Sequence, residues 1–266
     1  MHDENDSGAA GPGTFMHALA SIGMTLNGKV ALVTGGSRGI GRASAIALAA
    51  AGARVAVNYR EQASAANEVV AQITAAGGQA IAVRADVSIP ADVTALVASV
   101  TKQLGEVSIL VNNAGIANAR TLDTMELADF DEAIRVNLRS AYLVTQAVLP
   151  AMRTAKWGRI IFMSSIAASI GGVVGPHYAA SKAGMLGLMH GYASHLVKQG
   201  VTVNAISPGM IESDMTRVLT HVTPDRVPIG RYGAPEEISD IVVLLAQNGY
   251  ITGQNIHPNG GLYFAS

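Results

Sequence analysis

The sequence predicts a single α/β domain built on a doubly wound, mostly parallel sheet. Short apolar runs such as KVALVT at 29–34 alternate with longer segments of helical pattern. Near-continuous apolar strands indicate a sheet that is buried on both faces, and the helices between them supply the crossovers that parallel strands need. No stretch of changed composition interrupts residues 29–260, so we expect one domain there.

The first half of the chain contains four predicted strands and three predicted helices. Gly52 and the pair Gly77–Gly78 are typical of helix ends, and Pro90 is typical of a helix start. The predicted strands are 29–34, 54–58, 79–84 and 108–111. The predicted helices are 39–51, 62–76 and 90–104.

The second half continues the alternation. Strands are predicted at 159–163, 201–206 and 254–257, and helices at 126–152, 178–199 and 235–246. Together with the first half this gives a seven-stranded sheet of Rossmann type with helices on both faces.

Composition excludes several classes of protein. The 266 residues are 49% hydrophobic and 14% charged, as in a folded globule. Lys and Arg number 18 against 19 Asp and Glu, so neither nucleic acid nor a membrane surface is an expected partner. Absence of Cys excludes disulfides and thiolate metal ligands, the histidines form no ligand pattern, and no metal is expected. Without a long apolar run, we expect a cytoplasmic protein.

Residues 1–23 differ from the rest because they are acidic and then rich in small residues. We predict a flexible N-terminal extension, followed by a domain over 24–266. A helical arm that clasps a neighbouring subunit is the alternative, through Phe15, Met16, Leu19 and Ile22.

A glycine-rich turn follows the first predicted strand. Gly35, Gly39 and Gly41 would allow a tight turn and a close backbone approach to a phosphate at the start of the next helix. Their spacing is G-x3-G-x-G and not the general dinucleotide pattern G-x-G-x-x-G, so a purely structural turn is an equal alternative at this point. No P-loop motif is present.

The end of the second strand bears on the choice of nucleotide. An NAD(H) site favours an acidic residue there, but this chain has Asn58-Tyr59-Arg60. Arg60, together with Arg38, is suited to a 2′-phosphate, which favours NADP(H) over NAD(H). The alternative is that Arg60 is a solvated loop charge.

A set of motifs in order resembles the short-chain dehydrogenase/reductase family. They are TGGSRGIG at 34–41, NNAG at 112–115, Asn137, Ser165, Tyr178-x3-Lys182 and Pro208-Gly209. The resemblance runs from about Leu26 to Phe264 and is greatest to 3-oxoacyl-acyl-carrier-protein reductases and acetoacetyl-CoA reductases. Further support comes from Pro228-x-Gly-Arg231, Tyr250-Ile-Thr-Gly-Gln and Asn259-Gly-Gly.

The resemblance implies carbonyl reduction with four catalytic residues. Tyr178 would be the general acid, and a free tyrosine is a poor one because its pKa is about 10. Lys182, one helical turn later, would lower that pKa and hold the cofactor ribose. Ser165 would hydrogen-bond the substrate oxygen, and Asn137 would hold a proton-relaying water.

The resemblance also implies a set of cofactor-binding residues. For Asp86 the alternative is that it only caps the next turn. The full set is Gly35, Ser37, Arg38, Gly39, Ile40, Gly41, Tyr59, Arg60, Asp86, Val87, Asn113, Ala114, Gly115, Tyr178, Lys182, Pro208, Gly209 and Ile211.

The substrate pocket is expected to be mostly apolar and without a fixed counter-charge, and His177 would line its mouth. Its expected walls are Ile116, Ile166, Val173, Val174, Met210, Ile211 and Met215. Carrier-protein reductases usually have a basic residue and a glutamate where this chain has Ser194 and His195, and the loop 213–228 is shorter than usual. Three basic residues on the other flank would still attract an acidic carrier: Arg153, Lys156 and Arg159.

These observations leave three functions open. The first is NADPH-dependent reduction of a 3-oxoacyl thioester, carried by acyl carrier protein or CoA. The second is a secondary-alcohol dehydrogenase or ketone reductase that acts on a small hydrophobic substrate. The third is a non-catalytic NADP(H)-binding sensor. Family resemblance implies a homotetramer joined through the helices at 126–152 and 178–199 and the last strand, where Gly184, Gly187 and Gly191 would allow close approach or serve internal packing.

Overall fold

The computed structural model describes residues 25–213 and 223–264 of the chain. Its centre is a seven-stranded sheet in the order β3-β2-β1-β4-β5-β6-β7, and every neighbouring pair is parallel. The predicted doubly wound α/β fold is confirmed. The strands are β1 (Val30–Val33), β2 (Arg54–Tyr59), β3 (Ala80–Arg84), β4 (Ile109–Asn112), β5 (Gly158–Met163), β6 (Val201–Ile206) and β7 (Asn255–Ile256).

Helices connect the strands and cover both faces of the sheet. Short 3₁₀ turns follow α7 at Val197–Gln199 and precede α8 at Pro224–Arg226. The α-helices are α1 (Gly39–Ala50), α2 (Ala63–Ala75), α3 (Pro90–Leu104), α4 (Leu127–Ala133), α5 (Ser140–Ala155), α6 (Ala167–Ile170), α7 (Pro176–Leu196) and α8 (Pro235–Gln247). None of them, within the described ranges, is long and apolar enough to cross a bilayer.

Alternate side chains of each strand pack into two separate cores. On β1, Val30 and Leu32 join one core, whereas Ala31 and Val33 join the other. The first core is completed by α3, α5 and α7, and the second by α1, α2 and α8. Strands buried on both faces need apolar residues at every position, which explains the continuous apolar runs in the sequence.

One predicted helix is interrupted. The sequence predicts an unbroken helix over 126–152, but the structure has a π-helical stretch, Ile134–Arg139, between α4 and α5. Asn137 lies in this stretch, and its side chain is hydrogen-bonded to residues outside the helix. A π-helical turn accommodates one extra residue and turns the following side chains, which is common at functional sites.

The chain crosses from one half of the sheet to the other between β3 and β4. β2 and β3 lie on one side of β1, and β4 to β7 lie on the other. The loops after β1 and β4 therefore diverge at the carboxyl ends of adjacent strands, where doubly wound folds bind ligands. Predictions for residues 1–23 and for Met215 lie outside the described residues.

We expect Leu110→Ala to lower the free energy of unfolding by about 2–5 kcal/mol, because it removes a fully buried side chain from the central strand. Leu122→Ala is the matched control, since it removes the same atoms from a side chain that is 77% exposed. Its effect should stay within about 0.5 kcal/mol. Urea unfolding followed by circular dichroism measures both. Equal losses would contradict this placement of the core.

Candidate active site

The glycine loop after β1 adopts a conformation that needs glycine. Gly35 and Gly39 have φ angles of +61° and +52°, which side chains other than glycine rarely adopt. A Cβ atom on Gly41 would lie 2.5 Å from the amide nitrogen of Asn113 and closer still to the carbonyl oxygen of Gly35. The loop leads into α1, whose first turn contains no acidic residue. Its free N–H groups therefore present a positive end to the cleft.

Thr34 and Asn113 join this loop to the loop after β4. The hydroxyl of Thr34 accepts hydrogen bonds from the backbone N–H groups of Asn113 and Ala114, at 2.9 and 3.0 Å. In return the Asn113 amide donates to the carbonyl oxygens of Thr34 and Gly35, at 2.9 and 3.0 Å. These four bonds form what we term the β1–β4 clamp. The Asn113 side chain thus supports the loops in addition to lying beside the cleft.

A second tie comes from Asn58 near the end of β2. Its side-chain oxygen accepts from the N–H of Gly35 at 3.3 Å, and its amide nitrogen donates to the carbonyls of Val83 and Ala85. Asn58 is buried and lines the cleft. Asn58 was noted in the sequence only because the second strand lacks an acidic residue at its end. A polar residue at the end of an apolar strand was the signal that could have indicated its role.

The loops enclose a cleft of about 330 Å³. Most of the residues predicted to bind a cofactor line it: Gly35, Ser37, Arg38, Gly39, Ile40, Tyr59, Arg60, Asp86, Val87, Asn113, Ala114 and Gly115. Sequence reasoning missed six further lining residues, of which only Asn58 gave a signal: Asn58, Glu61, Gln62, Ala85, Val136 and Ser213. Ile116, predicted as a wall of the substrate pocket, also lines this cleft.

The other predicted cofactor residues lie outside the lining of the cleft. Gly41 is packed under the glycine loop, and Tyr178 and Lys182 lie on α7. Pro208, Gly209 and Ile211 follow β6.

The segment after β6 is held by its neighbours. The carbonyl of Pro208 accepts from the N–H of Ile166, and the N–H of Gly209 donates to the carbonyl of Pro258, each at 3.0 Å. Ile211 is buried and pairs with Gly233 in an isolated bridge. A side chain at Gly209 would collide with the backbone of Asn259, so the segment packs directly on the C-terminal turn.

Charged groups gather at the end of the cleft next to β2. The Arg60 guanidinium lies 2.8 Å from the Glu61 carboxylate, and both side chains are about half exposed or more. Asp86 accepts hydrogen bonds from the N–H and the hydroxyl of Ser88. Burial acts to raise the pKa of Asp86, but the Ser88 hydrogen bonds and the charges of Arg60 and Arg135 hold it below its usual value. Asp86 therefore caps the turn before α3 and also lines the cleft.

Tyr178, Lys182 and Ser165 come together at the start of α7. The phenol of Tyr178 is hydrogen-bonded to Ser165, which follows β5. The Lys182 ammonium lies 5.7 Å from the centre of the tyrosine ring and donates to the carbonyl of Met163 at 2.8 Å. Both α7 side chains are buried, because the turn beneath them packs on β5 and β6.

The pKa of Tyr178 is shifted in the direction opposite to the one that the sequence predicted. Burial raises the pKa of Tyr178, and the hydrogen bond with Ser165 offsets the rise only in part. Burial also lowers the pKa of Lys182 to about 8. A lowered tyrosine pKa was predicted from the nearby ammonium, but desolvation disfavours the charged form of each group and is the larger effect.

Asn137 connects the π-helical stretch to both sides of the site. Its side-chain oxygen accepts from the N–H of Ile116 at 2.8 Å. Its amide nitrogen donates to the carbonyl of Ile116 at 3.1 Å and to the hydroxyl of Ser181 at 2.9 Å. Ser181 in turn donates to the carbonyl of Tyr178 at 2.7 Å. The side chain is fully buried and both of its amide hydrogens are used, so the predicted water could contact this side chain only at its oxygen.

Gly115 keeps the space between these groups open. A Cβ atom there would lie 3.1 Å from the side-chain oxygen of Asn137 and 3.5 Å from the Lys182 ammonium. The absence of a side chain therefore allows a group in the cleft to reach Lys182. Ser181, one turn after Tyr178, is a residue that sequence reasoning missed.

The crevice beside Tyr178 is more polar than predicted. Ile116, Ala133 and Tyr178 share it with Asn118, His177 and two carboxylates, Asp129 and Glu132. Two acidic residues therefore lie beside Tyr178, whereas the substrate pocket was expected to have no fixed counter-charge. Among the other predicted walls, Ile166, Val174 and Ile211 are buried, Met210 is half-buried and Val173 is exposed.

One predicted carrier contact is also wrong. Arg159 is 7% exposed and lies against the Trp157 ring, with its guanidinium carbon 4.3 Å from the ring centre. It donates to the carbonyl of Gly158. Because it lies at the start of β5, it cannot attract a carrier protein from the surface. Arg153 and Lys156 are exposed, as are Ser194 and His195.

Together, the fold and the cleft define an oxidoreductase that uses a nicotinamide cofactor. The family model described as short chain dehydrogenase matches residues 29–223. The chain therefore belongs to the short-chain dehydrogenase family, as the sequence motifs predicted, and is an NAD(P)-dependent oxidoreductase that acts on CH–OH groups.

Proteins of similar sequence and structure support this assignment. A 3-oxoacyl-[acyl-carrier-protein] reductase from Synechocystis is 43% identical over 242 residues, which cover 89% of this chain and 98% of that protein. A reductase of the same name from Staphylococcus epidermidis is 41% identical, over 88% and 99% of the two chains. The crystal structure of a putative gluconate dehydrogenase from Agrobacterium tumefaciens is 32% identical, with a TM-score of 0.85 over 90% and 98% of the chains.

We expect the free energy of unfolding to depend on pH because Lys182 is buried. Its pKa is about 8 in the folded chain and 10.5 as the ordinary value, so the unfolded chain binds more protons between these values. Raising the pH through this window therefore stabilises the folded wild type. Relative to Lys182→Met, which lacks the titration, the gain from pH 8 to pH 10 should be about 2 kcal/mol. Urea unfolding at both pH values measures it, and a constant difference would contradict the assigned burial.

Proposed function

We propose that this protein reduces 3-oxoacyl thioesters to 3-hydroxyacyl thioesters with NADPH, and that Tyr178 donates the proton. The observation that carries the proposal is the buried group of Tyr178, Ser165 and Lys182 beside a cleft that starts at a glycine loop. The names of the Synechocystis and Staphylococcus reductases support the substrate class. We place the reaction in the cytoplasm.

The cleft fits a dinucleotide. Gly115 leaves space that a Cβ atom would fill, and the open end of α1 suits a phosphate. The residues that would hold the cofactor are the lining residues of the glycine loop, of β2 and of the NNAG segment, with Lys182 reached past Gly115. When bound there, the nicotinamide supplies the hydride.

The residues of the chain supply the polar part of the reaction. Ser165 donates a hydrogen bond to the substrate carbonyl oxygen and stabilises the charge that develops on it. Tyr178 gives its phenolic proton to that oxygen, and its raised pKa keeps the phenol protonated beforehand. The Lys182 ammonium stabilises the phenolate that remains. Asn137 and Ser181 hold the backbone of Tyr178 in place.

Reduction of a simple ketone is the second candidate, and one observation favours it. Arg159 is buried, and Ser194 and His195 stand where carrier-protein reductases usually have a basic residue and a glutamate. Fewer cations thus remain for an acidic carrier. A non-catalytic sensor is disfavoured, because no carboxylate of the described residues pairs with the buried Lys182, and burying such a group is unfavourable unless it is used.

We also propose a homotetramer in which α7 lies at an interface. Nothing in the described chain lies within 4 Å of a Cβ atom placed on Gly187 or Gly191. Gly184 is different, because a Cβ atom there would lie 2.6 Å from a methyl carbon of Leu138. Packing against Leu138 thus explains why residue 184 is a glycine. In the proposed tetramer, Gly187 and Gly191 would allow a second subunit to approach α7 closely.

Tyr178→Phe should lower kcat for acetoacetyl-CoA by at least about a hundredfold, because the proton donor is removed. The dissociation constant for NADPH should stay unchanged. Tyr192→Phe, on the same helix but bonded to Gln146, is the control and should keep full activity. Initial rates are followed by nicotinamide absorbance. Undiminished turnover by Tyr178→Phe would refute its role, and turnover of simple ketones alone would favour the second candidate.

Arg60→Ala should raise KM for NADPH by about tenfold and leave KM for NADH nearly unchanged, because it removes a partner of the 2′-phosphate. Glu61→Gln should lower KM for NADPH, since it removes the carboxylate that competes for Arg60. Arg42→Ala, which removes a cation bonded to Gln72 on the surface, is the control. Steady-state kinetics with both cofactors measures the change. Equal effects on NADPH and NADH would overturn the assignment.

A further inference from the structure

The imidazole of His177 makes a contact that the proposed chemistry does not use. His177 directly precedes Tyr178 in the first turn of α7, and its side chain is buried, with 2% exposed. Its Nε2 atom lies 3.0 Å from the backbone carbonyl oxygen of Asn118, 59 residues earlier in the chain. Because a carbonyl oxygen can only accept, Nε2 carries the hydrogen and donates it.

The surroundings of Nδ1, the other ring nitrogen, indicate that the bond to Asn118 sets the orientation of the imidazole ring. Nδ1 is buried and has no hydrogen-bond partner among the residues that the structure describes. It faces Gly175, where a Cβ atom would lie 2.9 Å from the Cε1 atom of His177 and 3.0 Å from Nδ1. Gly175 has a φ of +125° and so leaves a space that the ring fills. A buried acceptor without a partner is unfavourable, so the ring is held by its contact with Asn118 and by this fit.

Asn118 belongs to the loop 113–126, between β4 and α4. The loop begins beside the cofactor cleft with Asn113 and continues to the crevice at Tyr178 with Ile116 and Asn118. A second contact with the segment before α7 is the hydrogen bond from the N–H of Arg120 to the carbonyl of Val174, at 2.9 Å. The Arg120 guanidinium also pairs with Asp129 of α4 at 2.9 Å.

We propose that His177 is a positioning residue that fastens the loop 113–126 to the start of α7. The contact from Nε2 to the Asn118 carbonyl, which we term the Asn118 latch, fixes the distance between this loop and the helix turn that carries Tyr178. It thereby fixes the position of this loop beside Tyr178, where the proposed reaction would take place. His177 acts through Asn118 and does not touch the reacting atoms. The effect on catalysis rests on the proposed function, whereas the effect on the loop does not.

The proposal is tested first by the mobility of the loop. His177→Phe fills the space but cannot donate, and His177→Gln keeps a donor close to the position of Nε2. We expect His177→Phe to speed hydrogen–deuterium exchange in the peptide 113–126, and His177→Gln to restore slow exchange. The peptide 158–163 on β5 is the internal control and should not change. Wild-type exchange in His177→Phe, or fast exchange in both variants, would overturn the latch.

A second arm measures catalysis. We expect His177→Phe to lower kcat/KM for acetoacetyl-CoA by about tenfold, mainly through KM, because the loop no longer holds the substrate against Tyr178. His177→Gln should stay within about threefold of the wild type, and the dissociation constant for NADPH should stay within about twofold in both. Comparable losses in both variants would overturn the proposal. Thermal unfolding of each variant establishes that it is folded.

The two arms separate the latch from the proposed function. If the wild type reduces no thioester but the loop exchanges faster only in His177→Phe, the latch stands and the substrate assignment falls. If thioester reduction is efficient and His177→Phe changes neither exchange nor KM, the substrate assignment stands and the latch falls.

Discussion

The site depends on the β1–β4 clamp. The side chains of Thr34 and Asn113 make four hydrogen bonds between the loops that follow two adjacent parallel strands. Parallel strands diverge where their crossovers leave in opposite directions, so the loops would otherwise be free to separate. The clamp holds them at a fixed spacing, and Gly41 lets α1 begin directly against it. The cleft therefore depends on two side chains that hold the backbone of both loops in place, and its lining residues are arranged around this frame.

The reactive groups obey a different constraint, which is burial. Tyr178 and Lys182 lie on a helix that packs on β5 and β6, and desolvation raises the pKa of Tyr178 and lowers the pKa of Lys182 to about 8. The Tyr178 phenol is hydrogen-bonded to Ser165. The Lys182 ammonium donates a hydrogen bond to the Met163 carbonyl. Polar groups held in a low-dielectric site need little reorganisation when charge develops nearby. The clamp thus fixes the cleft that we propose for the cofactor, and packing of α7 fixes the group that we propose to deliver the proton.

Much of this could be predicted from the sequence because the relevant signals are local. Apolar runs identified all seven strands, and the glycine loop and the Tyr178-x3-Lys182 spacing located the cleft and the reactive pair. The rest depends on contacts between distant residues. The π-helical turn at Asn137 follows from bonds to Ile116 and Ser181, which no helical periodicity reveals.

Burial of charged groups was the other source of error. Arg159 follows Trp157 in a segment that looks like a basic flank, yet it starts a buried strand. The direction of the Tyr178 pKa depends on how deeply α7 packs, and the carboxylates of Asp129 and Glu132 reach the crevice only because α4 folds back towards α7. Each of these is set by tertiary packing, which a single sequence does not encode locally.

The clamp has a consequence for how the chain folds. Thr34 and Asn113 are separated by 79 positions, and β2 and β3 with their helices lie between β1 and β4 in the chain. Pairing of strands across such a separation is slow, because the entropy of loop closure is lost before the contacts form. A chain arrested earlier has no dinucleotide cleft, so the cofactor binds only molecules in which the two halves of the sheet have met. By mass action the cofactor then shifts the folding equilibrium towards the folded state. The fraction of folded protein therefore depends on the concentration of the cofactor.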